Sequence, residues 1–338
     1  MAHTVWIGTY TREGSPGIVR ADFDDVALRI RSAVPANNPS YLAVNGACLY
    51  AVSETSNGGI NSYRIEGDQG LRLTGSQRVL GDAPCHLYVD GRYVYVSNYD
   101  SGSLSVFELD KEGAVHAAAR VISHAGAGCG AAREPAHAHQ AVVTPDGSFV
   151  AVCDLGLNGV AFYPRDPQCG IREPGEWVYA PEGAGPRHAV FGESKFWYAV
   201  CELSCEVLAY RGYGASARLL QRQSLIRAGQ AGASAAAIRL SPDQALVLAS
   251  ARGTDELVLF DVLADGCLSP PRSFDAGGCW PRDAAFSPDG RFVLCACERD
   301  GCVTVFRVQD GGLRPAGSAS VPSPVCVCFE PPSNLREA

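Results

Sequence analysis

The stretch PAHAHQAVVTPDGSFVAVCDLG, residues 135–156, contains two short apolar runs joined by a Pro-Asp-Gly sequence. Apolar and polar residues alternate at the start of the first run, which is typical of a β-strand, and Asp-Gly between two apolar runs is typical of a hairpin turn. His137 and His139 stand at the start of the first run and Asp154 near the end of the second. An antiparallel hairpin would place His139 and Asp154 at the same end of the pair.

The same arrangement recurs along the chain at a nearly constant spacing. Seven strand-like segments carry an aromatic or β-branched residue followed by polar ones, and successive markers are separated by 44, 44, 56, 47, 50 and 46 residues. The markers are Val19, Tyr63, Phe107, Tyr163, Tyr210, Phe260 and Phe306. A period of roughly 40 to 50 residues with four short strands per unit is typical of a β-propeller. We therefore predict an all-β chain that forms one seven-bladed propeller of four-stranded blades, as a single domain over residues 1–338.

The two ends of the chain and the longest interval between markers also fit a propeller. Strand-like runs near the two ends, HTVWIGTYT (3–11) and SPVCVCFE (323–330), lie outside complete units. We expect them to share one blade and close the ring, which removes exposed sheet edges. The longest step falls on HAGAGCGAAREPAHAH (124–139), predicted to be a loop insertion.

Composition excludes several classes of function. The chain has 28 Lys and Arg against 36 Asp and Glu, a net charge of −8, which argues against a nucleic-acid partner. No long apolar segment or export signal is visible, so we expect no membrane partner and a cytoplasmic location. The 14 cysteines are then expected to be reduced. The pairs Cys295/Cys297 and Cys326/Cys328 are interpreted as small core residues rather than a zinc site.

The predicted hairpin turns give a common register for polar residues. The turns are Asn45-Gly46, Asp90-Gly91, Asp146-Gly147, Glu193-Ser194, Asp243-Gln244 and Asp289-Gly290. Four to seven residues before a turn stand His86, His139, Arg187 and Arg282. Eight or nine residues after a turn stand Glu54, Asn98, Asp154, Glu202, Arg252 and Glu298. Antiparallel pairing brings both sets to one end of each blade, so the blades are expected to gather them into a polar ring.

This ring suits chemistry on a small anion. Guanidinium groups bind carboxylates or phosphates in a bidentate manner and stabilise an oxyanion, so Arg187 and Arg252 are predicted to bind the substrate and its developing charge. His139 and Glu202 are predicted to be the general acid and base. Further predicted substrate-binding residues are Arg282, His86, Glu298, Asp154 and Asn98. No metal-ligand spacing or nucleotide motif is present, so we expect no metal and no cofactor.

A structural role is the alternative for several of these residues. A histidine at a strand end is more often a hydrogen-bonded structural group than a catalyst, and His137, out of phase with His139, is expected to point to the other face. Arg282 could form a structural ion pair with Asp283 or Glu298. Only the shared register favours a common site.

Motifs along nearly the whole chain are similar to those of a known family. They are IGTYT, CHLYVDGRYVYVSNYDSGSLSVF, HAHQAVVTPDGSFVAVCDLG, GPRHAVF, ELS, SARG and WPRDAAFSPDGRFVL. In this order they resemble the seven-bladed propeller lactonase family, which includes bacterial 6-phosphogluconolactonases and fungal carboxy-muconate lactonizing enzymes. The resemblance implies a cofactor-free central site in which His139, Arg187, Glu202 and Arg252 carry catalysis.

The chain also departs from the family pattern. Asp283 stands where members tend to have His or Gly, Cys297-Glu298 where an Asn-Gln or Gly-Gln pair is common, and Asn158 where Asp is usual. Additional carboxylates near the arginines are expected to lower the positive potential and disfavour a doubly charged phosphate.

Three functions remain open at this point. The first is hydrolysis of a small anionic lactone, most simply 6-phosphogluconolactone or a related sugar lactone. The second is a cofactor-free cycloisomerase that forms or opens a lactone on a carboxy-muconate-like unsaturated dicarboxylate, and the third is a non-catalytic binding scaffold, because a fold does not fix a function. The sequence leaves the oligomeric state open.

Overall fold

The architecture is that of a ring of small sheets. The computed structural model describes residues 3–25, 27–124, 135–227, 230 and 232–331. Within these ranges the chain forms strands and four short 3-10 helices, and the strands assemble into seven separate sheets. Neighbouring strands run antiparallel. The prediction of an all-β, seven-bladed propeller is confirmed.

The strands are assigned to blades as follows. The chain begins with β1 (His3–Thr9), β2 (Ile18–Phe23) and β3 (Leu28–Val34). Blade 1 contains β4 (Leu42–Asn45), β5 (Cys48–Ser53), β6 (Gly59–Ile65) and β7 (Leu71–Arg78). Blade 2 contains β8 (Pro84–Asp90), β9 (Tyr93–Asn98), β10 (Ser103–Leu109) and β11 (Val115–Ser123). Blade 3 contains β12 (Ala138–Val143), β13 (Phe149–Asp154), β14 (Gly159–Asp166), β15 (Gly170–Ile171) and β16 (Glu176–Tyr179).

The remaining blades follow the same order. Blade 4 contains β17 (Pro186–Phe191), β18 (Phe196–Cys201), β19 (Glu206–Arg211) and β20 (Arg218–Ser224). Blade 5 contains β21 (Ser234–Leu240), β22 (Leu246–Arg252), β23 (Glu256–Asp261) and β24 (Arg272–Asp275). Blade 6 contains β25 (Pro281–Phe286), β26 (Phe292–Cys297), β27 (Cys302–Gln309) and β28 (Gly312–Ser320). Blade 7 combines β29 (Pro324–Phe329) with β1, β2 and β3. The 3-10 helices are Thr11–Glu13, Gly67–Gln69, Glu193–Lys195 and Gly214–Ser216.

The two ends of the chain close the ring. Strand β29 pairs with β1, with Val5 opposite Phe329 and Ile7 opposite Val327. The strands β4, β8, β12, β17, β21, β25 and β29 each contact the next in this series, and β29 contacts β4. These seven strands therefore line the central channel. The prediction that the terminal strands share one blade is confirmed.

Blade 3 differs from the simple four-stranded pattern. Its third strand, β14, pairs with both β15 and β16, so the outer position is divided between two short segments. The division follows a turn in which the carboxylate of Asp166 accepts hydrogen bonds from the backbone N–H groups of Gln168 and Cys169. Most of the predicted insertion, residues 125–134, lies outside the described residues.

The core lies between adjacent blades rather than in one central mass. Every residue of β9 and of β26 is buried, since an interior strand of a blade is covered on both faces. The buried indole of Trp197 stacks on Tyr210 with centroids 4.1 Å apart. Close contact between blades fixes the positions of the seven channel-lining strands.

The predicted hairpin turns are present. In the Asp146-Gly147 turn, Asp146 Oδ1 accepts hydrogen bonds from Thr144 Oγ1 at 2.8 Å and from the Ser148 N–H at 3.1 Å. Gly147 has φ = 68°, a conformation that glycine adopts at little cost. Asp289 makes the same two contacts in blade 6, with Ser287 and Arg291.

Eight of the 13 described cysteines are buried and five are partly exposed, Cys328 among the latter. Cys295 and Cys297 are buried, and their sulfur atoms lie 3.9 Å apart without a disulfide bond. Each of the 13 cysteines in the described ranges is a free thiol; Cys129 lies outside them. None of the described helices is long and apolar enough to cross a bilayer.

Candidate active site

Irregularities at the start of four channel-lining strands direct side chains into the channel. In β8, β12, β17 and β25 the register of pairing with the next strand slips by one residue. The residues skipped by this slip are Cys85, His139, Arg187 and Arg282. A β-bulge of this kind re-aims a side chain relative to the regular alternation. All four residues line one cavity at the end of the channel.

The returning strands supply the other half of the cavity. Its remaining lining residues are Glu54, Tyr99, Glu202 and Arg252. Each of the four stands nine residues after the first residue of its hairpin turn. Because neighbouring residues of a strand face opposite sides, a common spacing of nine gives these side chains a common direction. The cavity has a volume of about 150 Å³, which suits a small ligand.

One wall of the cavity is built around the carboxylate of Glu202. Its Oε2 lies 3.0 Å from Nε of Arg187, and its Oε1 lies 3.0 Å from Nη2 of Arg252. Arg187 Nη1 also donates to the carbonyl of Ala236 at 2.7 Å, and Arg252 Nη2 donates to that of Ala235 at 2.9 Å. These bonds hold both guanidinium planes in place.

The opposite wall is a second polar network. The hydroxyl of Tyr10 donates to the Glu54 carboxylate, 2.9 Å from Oε1, and accepts a hydrogen bond from Arg282 Nη2 at 2.6 Å. Arg282 also lies 3.6 Å from Glu298. Burial by itself would lower the pKa of Arg282, but Tyr10 and the carboxylates of Glu298 and Glu54 outweigh it and raise that pKa. Arg282 is therefore a permanent cation.

His139 lies between the two walls and is buried. Its Nδ1 is 3.8 Å from the sulfur of Cys85. Burial, together with the positive charges of Arg187 and Arg282, holds the pKa of His139 well below 6.5. The ring is neutral at neutral pH.

The charges of the cavity nearly balance. Three arginines and two glutamates line it: Arg187, Arg252, Arg282, Glu54 and Glu202. Burial lowers the pKa of Arg187 to about 10, an effect that Glu202 opposes, so this group stays protonated at neutral pH. One net positive charge in a small, partly enclosed space favours a carbonyl oxygen that becomes an oxyanion.

The structure thus brings together five of the residues predicted from sequence, His139, Glu202, Arg187, Arg252 and Arg282. It does not bring His86 to them. His86 is the residue after the bulge residue Cys85, and its ring packs on Tyr41 and His188, at centroid distances of 4.1 and 5.3 Å, further along the channel. His86 lines a separate cavity of about 650 Å³ at the other end of the channel.

Asn98 and Asp154 are structural rather than substrate-binding residues. Both are fully buried. Asn98 donates to the hydroxyls of Ser103 and Ser105, each at 3.0 Å. Asp154 accepts from the backbone of His137 and contacts His124 Nδ1 at 2.6 Å. Both stand eight residues after their turns rather than nine, and this difference of one residue turns them away from the cavity.

Glu298 contacts Arg282 but is not among the residues that line the cavity. Asp283 is a second carboxylate that departs from the family pattern, and it is expected to lower the positive potential at the arginines. Asp283 instead pairs with Arg239 at 2.5 Å and accepts a hydrogen bond from the backbone of Val327 at 2.9 Å. Arg239 thus compensates the charge of Asp283, and the effect of Asp283 on an anionic substrate stays a prediction. Asn158 binds backbone groups of Ala180 and Gly185 and supports a loop.

Sequence reasoning did not select Tyr10, Cys85 and Tyr99 and gave Glu54 no role of its own. Glu54 and Tyr99 each stand nine residues after the first residue of a hairpin turn. The prediction treats spacings of eight and nine residues alike, so it does not separate the residues that face the cavity from those that do not. Tyr10 follows β1 in the closing blade, where no complete hairpin provides a register.

No metal-binding arrangement is found in the cavity within the described part of the chain. There, the one group of three side chains close enough to share an ion is His3, Asp25 and Asp289. Asp25 and Asp289 each already pair with Arg291 at 2.6 Å. None of the three lines the cavity.

Comparisons with known proteins agree with this architecture. The family model described as lactonase, 7-bladed beta-propeller, matches residues 4–329. A 6-phosphogluconolactonase of Bacillus subtilis (strain 168) is 32% identical over 96% of this chain and 97% of its own length. A 6-phosphogluconolactonase of Formosa agariphila is 29% identical over 92% of this chain and 94% of its own. The structure of the periplasmic gluconolactonase PpgL of Pseudomonas aeruginosa superimposes with a TM-score of 0.90 at 32% identity, over 97% of this chain and 99% of that one.

Proposed function

Since the chain belongs to the lactonase family of seven-bladed β-propellers, and is a lactone hydrolase by that relationship, we propose that its substrate is 6-phosphogluconolactone or a closely related anionic sugar lactone. The observation that carries the proposal is the pair of arginines held by one carboxylate. Arg187 and Arg252 come from neighbouring blades, and Glu202 fixes both in the same wall of the cavity.

The two arginines suit the charge change of lactone hydrolysis. Nη2 of Arg187 and Nη1 of Arg252 have no hydrogen-bond partner among the described residues. These N–H groups are free to bind the carbonyl oxygen of the lactone. When water adds to the carbonyl carbon, that oxygen becomes an oxyanion, and preorganised charged donors stabilise it more than the neutral carbonyl.

The imidazole of His139 is a neutral group held at a fixed position in the cavity. Its low pKa keeps a hydrogen-bond donor and an acceptor on the ring at neutral pH. We propose that it orients the attacking water or a substrate hydroxyl against the carbonyl carbon, since correct placement of the nucleophile supplies much of such a rate enhancement.

An exposed arginine that is linked to Arg252 through an aromatic ring supports a phosphorylated substrate. The guanidinium of Arg299 lies 3.4 Å from the ring centroid of Trp280, and that ring lies 5.4 Å from the guanidinium of Arg252. Arg299 is exposed and forms no ion pair with a carboxylate of the described residues. We propose that the lactone ring occupies the cavity while Arg299 binds the phosphate.

We also propose a cytoplasmic location. Support comes from the 13 free thiols of the described ranges, several of them buried in the core, because reduced cysteines are the rule in the cytosol. The relative PpgL is periplasmic, so cell fractionation is the direct test.

The experiment for the substrate compares freshly prepared 6-phosphogluconolactone with glucono-1,5-lactone at constant pH. The acid released is titrated and corrected for spontaneous hydrolysis. We expect acceleration of both, with kcat/KM roughly tenfold or more higher for the phosphorylated lactone because of one added charge-assisted contact. Equal values would contradict the phosphate assignment. No acceleration of either lactone, with turnover of a carboxy-muconate-type dicarboxylate, would replace the proposal by the cycloisomerase alternative.

A further inference from the structure

Three side chains of the cavity could accept a proton from water: His139, Glu202 and Glu54. The sequence favoured the first two. The contacts of the three groups differ, and those differences decide between them.

His139 is poorly suited to act as the base. Burial and the nearby charges of Arg187 and Arg282 disfavour a positive charge on its ring. A proton taken from water would place that charge between two arginines. The same contacts leave the neutral ring able to orient a ligand.

Glu202 is engaged on both oxygens. Oε1 pairs with Arg252 and Oε2 with Arg187, each at 3.0 Å. A proton on either oxygen would have to compete with a guanidinium, and it would also release an arginine needed for the oxyanion. Glu202 is therefore a positioning residue for the two arginines.

Glu54 has a different environment on the facing wall. Its carboxylate accepts hydrogen bonds from one neutral donor, the Tyr10 hydroxyl, at 2.9 and 3.1 Å. Its backbone is fixed by Asn38, which accepts from the Glu54 N–H at 3.0 Å. Burial raises the pKa of Tyr10, so the phenol keeps its proton. The carboxylate is held in position while it keeps lone pairs available for water.

We infer that Glu54 is the general base of lactone hydrolysis, with Tyr10 as its positioning residue; the inference rests on the function proposed above. The water proton passes to Glu54 as the water oxygen bonds to the carbonyl carbon, and the carbonyl oxygen becomes an oxyanion at Arg187 and Arg252. When the bond between this carbon and the ring oxygen breaks, Glu54 returns the proton to that oxygen. The product carboxylic acid then releases one proton to solvent, which balances the reaction.

The test compares Glu54→Gln, Glu54→Ala and Glu54→Asp with wild type, and uses Glu66→Gln, a change at a surface glutamate paired with Arg72, as the matched control. We expect Glu54→Gln to lower kcat by roughly 100-fold or more with little change in KM, and Glu54→Asp to keep part of the activity. Added formate should restore activity to Glu54→Ala, a response that a merely structural role would not give.

Two results would overturn the inference. Activity of Glu54→Gln close to wild type would remove Glu54 from the reaction and leave the proposed function intact. Absence of wild-type activity on both sugar lactones would overturn the proposed function, and the role of Glu54 with it.

Discussion

Oε1 of Glu202 lies 3.0 Å from Nη2 of Arg252, across the boundary between blades 4 and 5. Both side chains are largely buried, with 22% and 6% exposed. Loss of one partner from such a pair leaves an uncompensated charge and is costly. The same contact that aims a guanidinium at the cavity thus also joins two blades, so stability and activity are coupled at this position.

Arg299 is expected to discriminate between phosphorylated and unphosphorylated lactones. Arg299→Ala should raise KM for 6-phosphogluconolactone roughly tenfold, as loss of a charge-assisted contact would, and leave KM for glucono-1,5-lactone unchanged. Steady-state kinetics on both substrates measures this. Arg314→Ala, at an exposed position of the outer strand β28, serves as the control. An equal rise for both substrates would contradict a phosphate contact.

Substitutions of the two histidines predicted as site residues should differ in their effect on kcat. His139 lines the cavity, whereas His86 packs on Tyr41 and His188 further along the channel. His139→Ala should lower kcat by roughly 10- to 100-fold through loss of orientation. His86→Phe, which keeps a ring at its position, should leave kcat near wild type. A larger loss in His86→Phe than in His139→Ala would contradict the assignment of His86 to the other cavity.

Stability should decline on mild acidification because of three buried histidines. Burial and nearby arginines hold the pKa values of His86, His139 and His188 well below 6.5. Below about pH 6.5 the unfolded chain binds protons at these residues and the folded chain does not, so this stability is complete above that pH and is lost as the pH falls. Each of these histidines lowers the free energy of unfolding by about 1.4 kcal/mol for every pH unit below that value.

Urea unfolding at pH 7.5 and 5.0 measures this decline. In His188→Phe the loss between the two pH values should be about 2 kcal/mol smaller than in wild type. His116→Phe, at an exposed position, should show the wild-type loss. Equal losses in His188→Phe and wild type would contradict a neutral, buried His188.

Asp283 should matter for folding rather than for substrate choice. It pairs with Arg239 and accepts from the Val327 backbone, so Asp283→Asn leaves a buried guanidinium without its counter-charge. We expect a loss of about 3 to 5 kcal/mol in the free energy of unfolding, with little change in KM for the phosphorylated lactone. A stable variant with a much lower KM would restore the view that Asp283 opposes anion binding.

The sequence predicted the fold well because the repeat is a consequence of the packing. Each blade needs the same four strands and the same turn to bury its two faces, so Asp146-Gly147 and Asp289-Gly290 recur at matching places. The split outer strand of blade 3 was not predicted, since its two short segments carry no clear alternation.

The site was less predictable because it depends on single-residue shifts. A bulge places Cys85, rather than His86, in the cavity, and strict alternation gives no sign of a bulge. Likewise, Asn98 and Asp154 differ by one residue in spacing from Tyr99 and Glu202, and face the interior of the sheets. The partner of Asp283 comes from a neighbouring blade, at Arg239, which no local pattern indicates.

The hydrolysis rate of freshly made 6-phosphogluconolactone, measured with wild type and with Arg252→Ala, decides whether this cavity is the active site. The rate is corrected for spontaneous hydrolysis and for the folded fraction of the variant. We expect clear acceleration by wild type and a kcat lower by roughly 100-fold or more in the variant, as for the loss of an oxyanion donor. Folded Arg252→Ala with wild-type turnover would contradict the assignment of this cavity as the active site.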